Sequence, residues 1–362
     1  MGSTIIADPA MRRAASLYPG AEMYFVIFAQ NRPSLDILGT IAHERAIVIR
    51  ATDFVTLTLD TIAALRRLRE LRIDMIVDLE LFSRFSSLLT LLSGAPIRVG
   101  FHRFHGEGLY RGNHLTHPVQ YNAHQHMAKN FLALVHAPGE TPNDLPHGKR
   151  RFDDAEIRLT PWQPDPAQRD AMRQRLVSAH PVLERASRWV ILNPNASELM
   201  PLRKWPLPHF GDLAKRLLED PSLAIVITGA ASEKPDAQTI AAMAGNERLV
   251  DLTGFTRLDE LPLLYCLATA MLTNDSGPAH FAAPTGLKTW VLFGPETPTL
   301  YGALNPNAEF FYKGLACSPC VSAANHRKSP CRDNQCMKQI AVDEVFVRMR
   351  SYLDDARPAG AA

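Results

Sequence analysis

Short apolar runs alternate with amphipathic helical stretches along almost the whole chain. This alternation is typical of α/β layers built around parallel sheets. In the first half it predicts strands at residues 23–28, 46–49, 75–78 and 97–99, and helices at residues 9–17, 60–69 and 81–92. In the second half it predicts strands at residues 189–192, 224–228, 249–252, 270–273 and 289–293, and helices at residues 168–179 and 342–353.

The length of 362 residues fits two domains rather than one. A stretch rich in proline and charge, residues 138–166, marks the exit from the first domain. We therefore predict two doubly wound, Rossmann-like domains, at residues 1–165 and 166–340, that face each other across a cleft. Residues 341–362 are predicted to form a C-terminal helix and tail that packs back on the first domain.

The start of the chain departs from this pattern. Open parallel sheets usually begin with a strand that becomes central, whereas residues 1–8 have the character of the loop and helix start that follow such a strand. Asp8 is predicted to cap the first helix, with Pro9 as its first residue. Either the first domain lacks its central strand or the true start lies upstream, and the pattern favours a clipped or misassigned start.

The charge balance limits the classes of partner. Lysine and arginine total 39 against 37 acidic residues, which gives a net charge of +2. This near balance argues against nucleic-acid binding driven by bulk charge. No apolar run reaches the roughly 18 residues of a membrane span, and no signal peptide is visible, so the expected location is the cytoplasm.

The segment that points most directly to chemistry is Asp275-Ser-Gly-Pro-Ala-His280, which follows a predicted strand and opens a helix. Proline suits a first helical turn, because its missing N–H is not needed there. The remaining N–H groups of that turn and the helix dipole favour an anion. Ser276 is predicted to cap the helix, while Asp275 and His280 face one cleft. A lone histidine is more often structural, but this grouping favours function.

Two further loops follow predicted strands, where open α/β sheets bind ligands. The first carries Asn195, Ser197 and Lys204, and the lysine is suited to neutralise a phosphate. Its alternative interpretation is a solvated loop cation. The second begins at Gly229 and carries Glu233, suited to a ribose diol, although first-turn acids also merely complement the helix dipole. A further tight turn, Gly294-Pro-Glu-Thr297, is predicted at the same edge.

Four cysteines are clustered near the C-terminus. The first two, Cys317 and Cys320, form a CxxC pair. The last two, Cys331 and Cys336, are separated by four residues. The leading pair resembles a structural zinc knuckle, whereas the closing spacing is unusual for one. Zinc binding and free thiols or conditional disulfides both remain open.

The motifs Asn193-Pro-Asn-Ala-Ser197, Arg203-Lys-Trp-Pro206, Gly229-x-x-x-Glu233, Asp275-Ser-Gly-Pro-x-His280 and Phe293-Gly-Pro295 occur in one order. In this order the chain resembles the lipopolysaccharide heptosyltransferases of glycosyltransferase family 9, which have the two-domain GT-B fold. The resemblance covers most of the chain and is most specific between residues 189 and 300. It implies an enzyme whose first domain takes the acceptor and whose second binds the donor.

The resemblance further implies an inverting transfer of a heptose or related sugar from an ADP-sugar to a lipopolysaccharide-core or other surface-glycan acceptor. No cofactor is required for the reaction, since cationic side chains and helix N-termini stabilise the leaving diphosphate. Carried over residue by residue, Lys204 holds the phosphates and Glu233 the ribose. The remaining donor-binding residues implied are Asn195, Ser197, Asp275, Ser276, Gly277 and His280.

The chain departs from the family pattern at the catalytic base. The family places an aspartate in a Gly-Asp pair before the first helix, where this chain has Gly2-Ser3. Asp8 is the nearest carboxylate and a weak candidate for the base. An alternative function is therefore a nucleotide-sugar-binding protein with impaired catalysis. Another GT-B enzyme, such as a nucleotide-sugar epimerase, is disfavoured by the spacing of the donor motifs.

The acceptor side is less clearly marked. Residues 102–111 form a basic, aromatic, glycine-containing loop, in which Arg103 and Arg111 are candidates to bind a phosphorylated or acidic sugar. A mobile surface loop without a ligand is an equal alternative. A lipid-linked acceptor would place the protein peripherally at the inner membrane, although the sequence contains no evident membrane helix.

Overall fold

The computed structural model describes residues 2–81, 83–104, 109–141, 145–196, 200–322, 325 and 328–356. In the first domain the strands are β1 Phe25–Phe28, β2 Ala46–Ile49, β3 Met75–Asp78, β4 Ile97–His102 and β5 His117–Gln120. Its helices are α1 Gly2–Leu17, α2 Pro33–Leu38, α3 Phe54–Glu70, α4 Arg84–Leu92 and α5 Met127–His136.

In the second domain the strands are β6 Arg188–Asn193, β7 Leu223–Ile227, β8 Leu249–Asp251, β9 Ala270–Asn274, β10 Lys288–Phe293 and β11 Ala308–Tyr312. Its helices are α6 Pro166–Ala179, α7 Val182–Arg185, α8 Leu207–Leu217, α9 Lys234–Ala244, α10 Leu261–Tyr265, α11 Gly277–Ala282, α12 Pro298–Tyr301, α13 Gln335–Lys338 and α14 Val342–Asp355. The architecture is the predicted one of α/β type, with two Rossmann-like domains.

The second domain contains a parallel sheet with strand order β11-β10-β9-β6-β7-β8. Strand β7 is buried at every position, as expected for an apolar strand covered by helices on both faces. The order reverses next to β6, because β7 lies on one side of it and β9 on the other. This reversal opens a crevice at the carboxyl ends of these strands, where ligands bind in sheets of this kind.

The first domain has its parallel strands in two sheets, β1-β2 and β3-β4-β5. Among the described residues, no strand lies between these sheets and joins them. Over the described residues the domain therefore has two separate sheets in place of one continuous sheet, as expected for a domain without its first strand. Its sheets are held together by helices instead, since α3 and α4 pack on residues of both β2 and β3.

The first helix is longer than predicted, and the prediction that Asp8 caps it is wrong. Helix α1 spans Gly2–Leu17, and both Asp8 and Pro9 lie buried in its interior. Ile5 packs in a cluster of the second domain, while Ile6 packs in a cluster of the first. Burial of these apolar residues outweighs the cost of an interior proline, which local sequence preferences alone could not predict.

The C-terminal helix packs on the second domain, so the prediction that it returns to the first is wrong. Val345, Met349 and Leu353 are fully buried in the same cluster as residues of α8 and β10. Arg188 of β6 also donates a hydrogen bond to the carbonyl of Leu353. The four-residue spacing predicts an apolar stripe correctly, but it does not specify which domain the stripe covers.

Candidate functional site

Asparagine side chains connect the loops at the carboxyl ends of β6, β7 and β9. The amides of Asn193 and Asn195 each donate to the carbonyl oxygen of Thr228 at 3.0 Å. Asn274 donates to the Pro194 carbonyl at 2.7 Å and accepts from the backbone N–H of Trp205 at 3.0 Å. These bonds hold three loops in fixed relative positions, with Asn195 at their centre.

Gly229 is required by a close approach between two of these loops. A Cβ atom at this position would lie 2.4 Å from Nδ2 of Asn195 and 2.8 Å from Oε2 of Glu233. The same carboxylate oxygen accepts the backbone N–H of Ala230 at 2.7 Å and closes the turn. The structure thus brings the predicted residues Asn195 and Glu233 together. The structure also supports a structural role for Glu233 as an alternative to ligand binding, since this side chain stabilises its own loop.

Lys204 lies beside a carboxylate that the sequence analysis missed. Its Nζ atom is 2.8 Å from Oδ2 of Asp236, in the first turn of α9. Both side chains are partly exposed, so the lysine borders solvent. An ammonium group has three N–H donors, and one bond to Asp236 leaves it able to bind a phosphate as well.

Asp275 is part of a buried group of charges. Nε of Arg203 lies 3.3 Å from Oδ2 of Asp275, and Nη2 of Arg203 lies 3.8 Å from Oε2 of Glu296. Both carboxylates are buried, and the guanidinium is mostly covered. Arg203 and Glu296 lie within two of the quoted motifs but were not predicted as site residues. Their positions after predicted strand ends, Arg203 after β6 and Glu296 after β10, were the available indication.

The segment after Asp275 has the predicted position but not the predicted cap bond. Ser276 is the residue before α11, yet its hydroxyl donates to the carbonyl of Asn274 at 3.2 Å rather than capping the helix. Gly277 begins the helix, followed by the predicted proline. The hydroxyl therefore stabilises the turn at the strand end, and the helix N–H groups stay uncapped by this side chain.

His280 is buried against the first helix of the other domain. A Cβ atom on Gly2 would lie 2.6 Å from its Cδ2 atom. Burial and the nearby His126 and Arg203 lower the pKa of His280 to about 3, so the ring is neutral at pH 7. His126 itself lies 2.8 Å from the Gly302 carbonyl through Nε2 and accepts the Ala128 N–H through Nδ1. Two histidines thus line the contact between the domains.

The structure argues against Asp8 as a catalytic base. Oδ2 of Asp8 lies 2.8 Å from Nε of Arg12, and Oδ1 accepts a hydrogen bond from the Thr40 hydroxyl. The residue is only 2% exposed. Because both oxygens are engaged and covered, Asp8 is a structural ion-pair partner and cannot reach an acceptor hydroxyl in this arrangement. Ser3, in contrast, is exposed.

The prediction that Arg111 faces an acceptor is wrong. Its side chain is buried in an ion pair with Asp78, and it also donates to the Ser83 carbonyl at 2.8 Å and to the Ser86 hydroxyl at 2.9 Å. A loop arginine and a strand-end aspartate far apart in sequence have paired. Arg103 is exposed and lies over the ring of Tyr110, so it remains a candidate.

Some of the predicted site residues fall outside the described part of the chain. These are Ser197 and residues 105–108 of the predicted acceptor loop.

The four C-terminal cysteines are free thiols, and burial together with the neighbouring thiols raises the pKa of Cys336 to about 11. In the described part of the chain, no group of three or more histidine, cysteine or acidic side chains is arranged to hold a metal ion. Zinc binding stays a prediction.

The model of glycosyltransferase family 9 (heptosyltransferase) matches residues 62–329. Lipopolysaccharide heptosyltransferase 2 of Escherichia coli (strain K12) is 31% identical over 115 residues, which cover 31% of this chain and 33% of that protein. Lipooligosaccharide heptosyltransferase 2 of Campylobacter jejuni is 25% identical over 185 residues, which cover 50% of this chain and 56% of the relative. The chain thus spans from a third to just over half of these relatives.

The fold as a whole is similar to that of a solved structure, the ADP-heptose lipopolysaccharide heptosyltransferase II of E. coli. The TM-score is 0.71 at 21% sequence identity, and the alignment covers 97% of this chain and 95% of that one. At this identity the likeness establishes the shared two-domain fold.

Proposed function

Because the chain belongs to glycosyltransferase family 9, the heptosyltransferase family, we propose that it transfers a heptose or related sugar from an ADP-sugar to a glycan acceptor. The acceptor in this proposal is lipopolysaccharide core or another lipid-linked surface glycan, and the transfer inverts the anomeric configuration. The observation that carries the proposal is the convergence of Asn195, Gly229, Glu233 and Lys204 at one edge of the second sheet.

The donor binds at this edge. Lys204 contacts the diphosphate while Asp236, 2.8 Å away, holds its ammonium in place. Glu233 contacts the ribose, and the absence of a side chain on Gly229 lets the loops that carry Asn195 and Glu233 approach each other closely. Support comes from the arrangement of a cation and a carboxylate, which matches a phosphate and a ribose diol.

Transfer requires that the charge of the departing diphosphate be stabilised. Lys204 and the N–H groups at the start of α11 supply positive potential, so the proposed reaction needs no metal ion. Arg203 forms ion pairs with Asp275, which leads into α11, and with Glu296. In this role Arg203 acts through its neighbours rather than on the substrate.

One observation favours a second candidate function, donor binding without transfer. The family reaction needs a carboxylate that deprotonates the acceptor hydroxyl. Asp8, the carboxylate of the first helix, is engaged by Arg12 and Thr40 and is covered by protein. Under this alternative the second domain binds the nucleotide sugar and the chain serves as a partner or regulator.

Calorimetric titration and a turnover assay test these proposals. We expect ADP-heptose and ADP to bind more tightly than UDP-sugars, and selective UDP-sugar binding would contradict the proposed donor. Turnover is measured with a soluble core oligosaccharide and with a lipid-linked core. Release of ADP and glycosylated product supports the transferase, whereas tight donor binding without product formation on either acceptor supports the second candidate.

A further inference from the structure

Helix α3 of the first domain has a solvent-facing apolar side. Phe54 is 81% exposed, Val55 65%, Leu59 61% and Ile62 42%. The spacing of Val55, Leu59 and Ile62 places them on one face of the helix, opposite the buried Ala64 and Leu68, and Phe54 adds to the exposed apolar area at the helix start. Large apolar side chains exposed in such a group mark an interaction surface more often than chance.

Helix α4 extends this apolar surface. Leu88 is 58% exposed, Leu91 46% and Leu92 45%. The two helices lie side by side, because Arg69 at the end of α3 donates to the Leu92 carbonyl at 2.9 Å and both helices pack inward on one cluster. We define the α3–α4 patch as the exposed residues Phe54, Val55, Leu59, Ile62, Leu88, Leu91 and Leu92.

The charges around the α3–α4 patch are mainly positive. Helices α3 and α4 carry four arginines, Arg66, Arg67, Arg69 and Arg84. Their two acids are Asp60 and Glu70, and a third acid, Asp53, caps the start of α3. Asp60 is bonded to Arg50 at 2.8 Å, and Glu70 lies 3.8 Å from Arg67. An excess of cationic charge therefore borders the apolar residues.

A small cavity lies where the two helices end. Its volume is about 280 Å³, and its lining includes Arg69, Arg72, Asp74 and Gly94. The cavity adjoins the α3–α4 patch through Arg69, which belongs to both the helix end and the cavity wall. An anionic head group can therefore meet arginine side chains next to an apolar surface.

From this combination we propose that the α3–α4 patch docks the protein on a bilayer that contains anionic phospholipid. Apolar side chains of an interfacial helix insert at the boundary between head groups and acyl chains, while nearby arginines attract lipid phosphates. The choice of a membrane rests on the proposed function, whose acceptor is lipid-linked. A second copy of the chain on the α3–α4 patch is the alternative occupant, and the experiment below distinguishes it from a membrane.

The described residues contain no helix long and apolar enough to cross a membrane. Docking through the α3–α4 patch needs none, since it is a surface interaction. The patch belongs to the first domain, whereas the proposed donor loops belong to the second.

Vesicle flotation tests the docking surface. The full chain is mixed with phosphatidylcholine vesicles with or without phosphatidylglycerol, in the absence of donor and acceptor. We expect binding only when the anionic lipid is present, with a decrease at high salt. The double variant Leu59→Asp and Leu88→Asp should lower vesicle binding by roughly tenfold or more. The double variant Arg66→Glu and Arg84→Glu should lower binding to anionic vesicles similarly.

The matched control is Val347→Asp on α14, which replaces an exposed apolar residue, 63% accessible, on the other domain. It should leave vesicle binding unchanged. Absence of wild-type binding, or an equal loss in this control, would overturn the proposal. The proposal would also be overturned if light scattering showed that the wild-type protein is a dimer and that the Leu59→Asp and Leu88→Asp variant is a monomer. Thermal unfolding verifies that each variant is folded.

Transfer to a soluble core oligosaccharide separates the two proposals. If the α3–α4 patch only docks the membrane, the Leu59→Asp and Leu88→Asp variant retains this transfer while losing vesicle binding. Vesicle binding without any transfer would leave docking supported and contradict the transferase. Transfer without vesicle binding would support the transferase and contradict docking.

Discussion

Arg203 lies with its Nε atom 3.3 Å from the carboxylate of Asp275, and the same guanidinium reaches to 3.8 Å from Glu296. Both acids are almost fully buried, so this arginine helps to compensate charges that water does not reach. Arg203 directly precedes Lys204, the proposed phosphate ligand. In the proposed reaction the pair therefore divides two tasks between adjacent residues: Arg203 pairs with the buried acids, and Lys204 contacts the donor phosphates.

Replacing Arg203 by methionine should destabilise the protein by about 3–5 kcal/mol, because two buried carboxylates each lose an ion-pair partner. Urea unfolding measures this loss. The control is Arg257→Met, which removes an exposed arginine paired with Asp259 and should cost less than about 1 kcal/mol. Equal stability of the two variants would show that the buried group is not held by Arg203.

Gly229→Ala should weaken donor binding by roughly tenfold, equivalent to about 1.4 kcal/mol, because it shifts side chains of the proposed donor site. The added methyl group would displace Asn195 or Glu233, which approach within 2.8 Å of its position. Calorimetry with ADP measures the affinity. Gly139→Ala is the control, because nothing lies within 4 Å of a Cβ atom there. Unchanged ADP affinity in Gly229→Ala would place the nucleotide elsewhere.

His280 should make the folded state less stable in acid. Its pKa is lowered to about 3 by burial, below the value of 6.5 expected in the unfolded chain. Between these values the unfolded state binds the extra proton, so the free energy of unfolding decreases as the pH falls from about 6.5. His280→Gln should reduce this pH dependence by up to about 1.4 kcal/mol per pH unit.

Urea unfolding at pH 7 and pH 5 compares wild type, His280→Gln and the exposed control His124→Gln. The control should retain the wild-type pH dependence. The nearby His126, whose pKa burial also lowers, contributes a remaining part in every variant. If His280→Gln keeps the full pH dependence, the buried imidazole is not its source.

The cysteine cluster should show one reactive and one protected thiol. Cys317 is exposed, whereas the buried Cys336 has its pKa raised to about 11. At pH 8 only about one Cys336 in a thousand is a thiolate, so alkylation should reach Cys317 far sooner. Mass spectrometry of timed alkylation measures both rates. Protection of all four thiols until a chelator is added would instead establish the zinc site.

Sequence pattern alone located most strands but not every boundary. Residues 46–49 and 75–78 are strands as predicted, because short apolar runs between turns have few alternatives. Strand β5 was missed, since only Val119 in it is fully buried and its composition is polar. The start of α1 was also missed, because the Asp8-Pro9 pair favours a cap and only contacts with two domains override it.

The same contrast applies to the candidate site. Asp275 and Lys204 were identified from local motifs, since a loop after a strand has a known place in an α/β sheet. Their partners were not identified. Arg203 and Asp275 are 72 positions apart, and Lys204 and Asp236 are 32 apart. Such pairs depend on how strands order themselves in space, which a single sequence with short motifs does not specify.

Helix α1 couples the two domains thermodynamically. Each residue from Ile5 to Met11 is buried, with Ile5 in a cluster of the second domain and Ile6 in one of the first. Loss of either domain's core therefore exposes apolar area that the same helix shares with the other. We expect the domains to melt in one cooperative calorimetric transition, so that damage to the acceptor side also shortens the lifetime of the donor site.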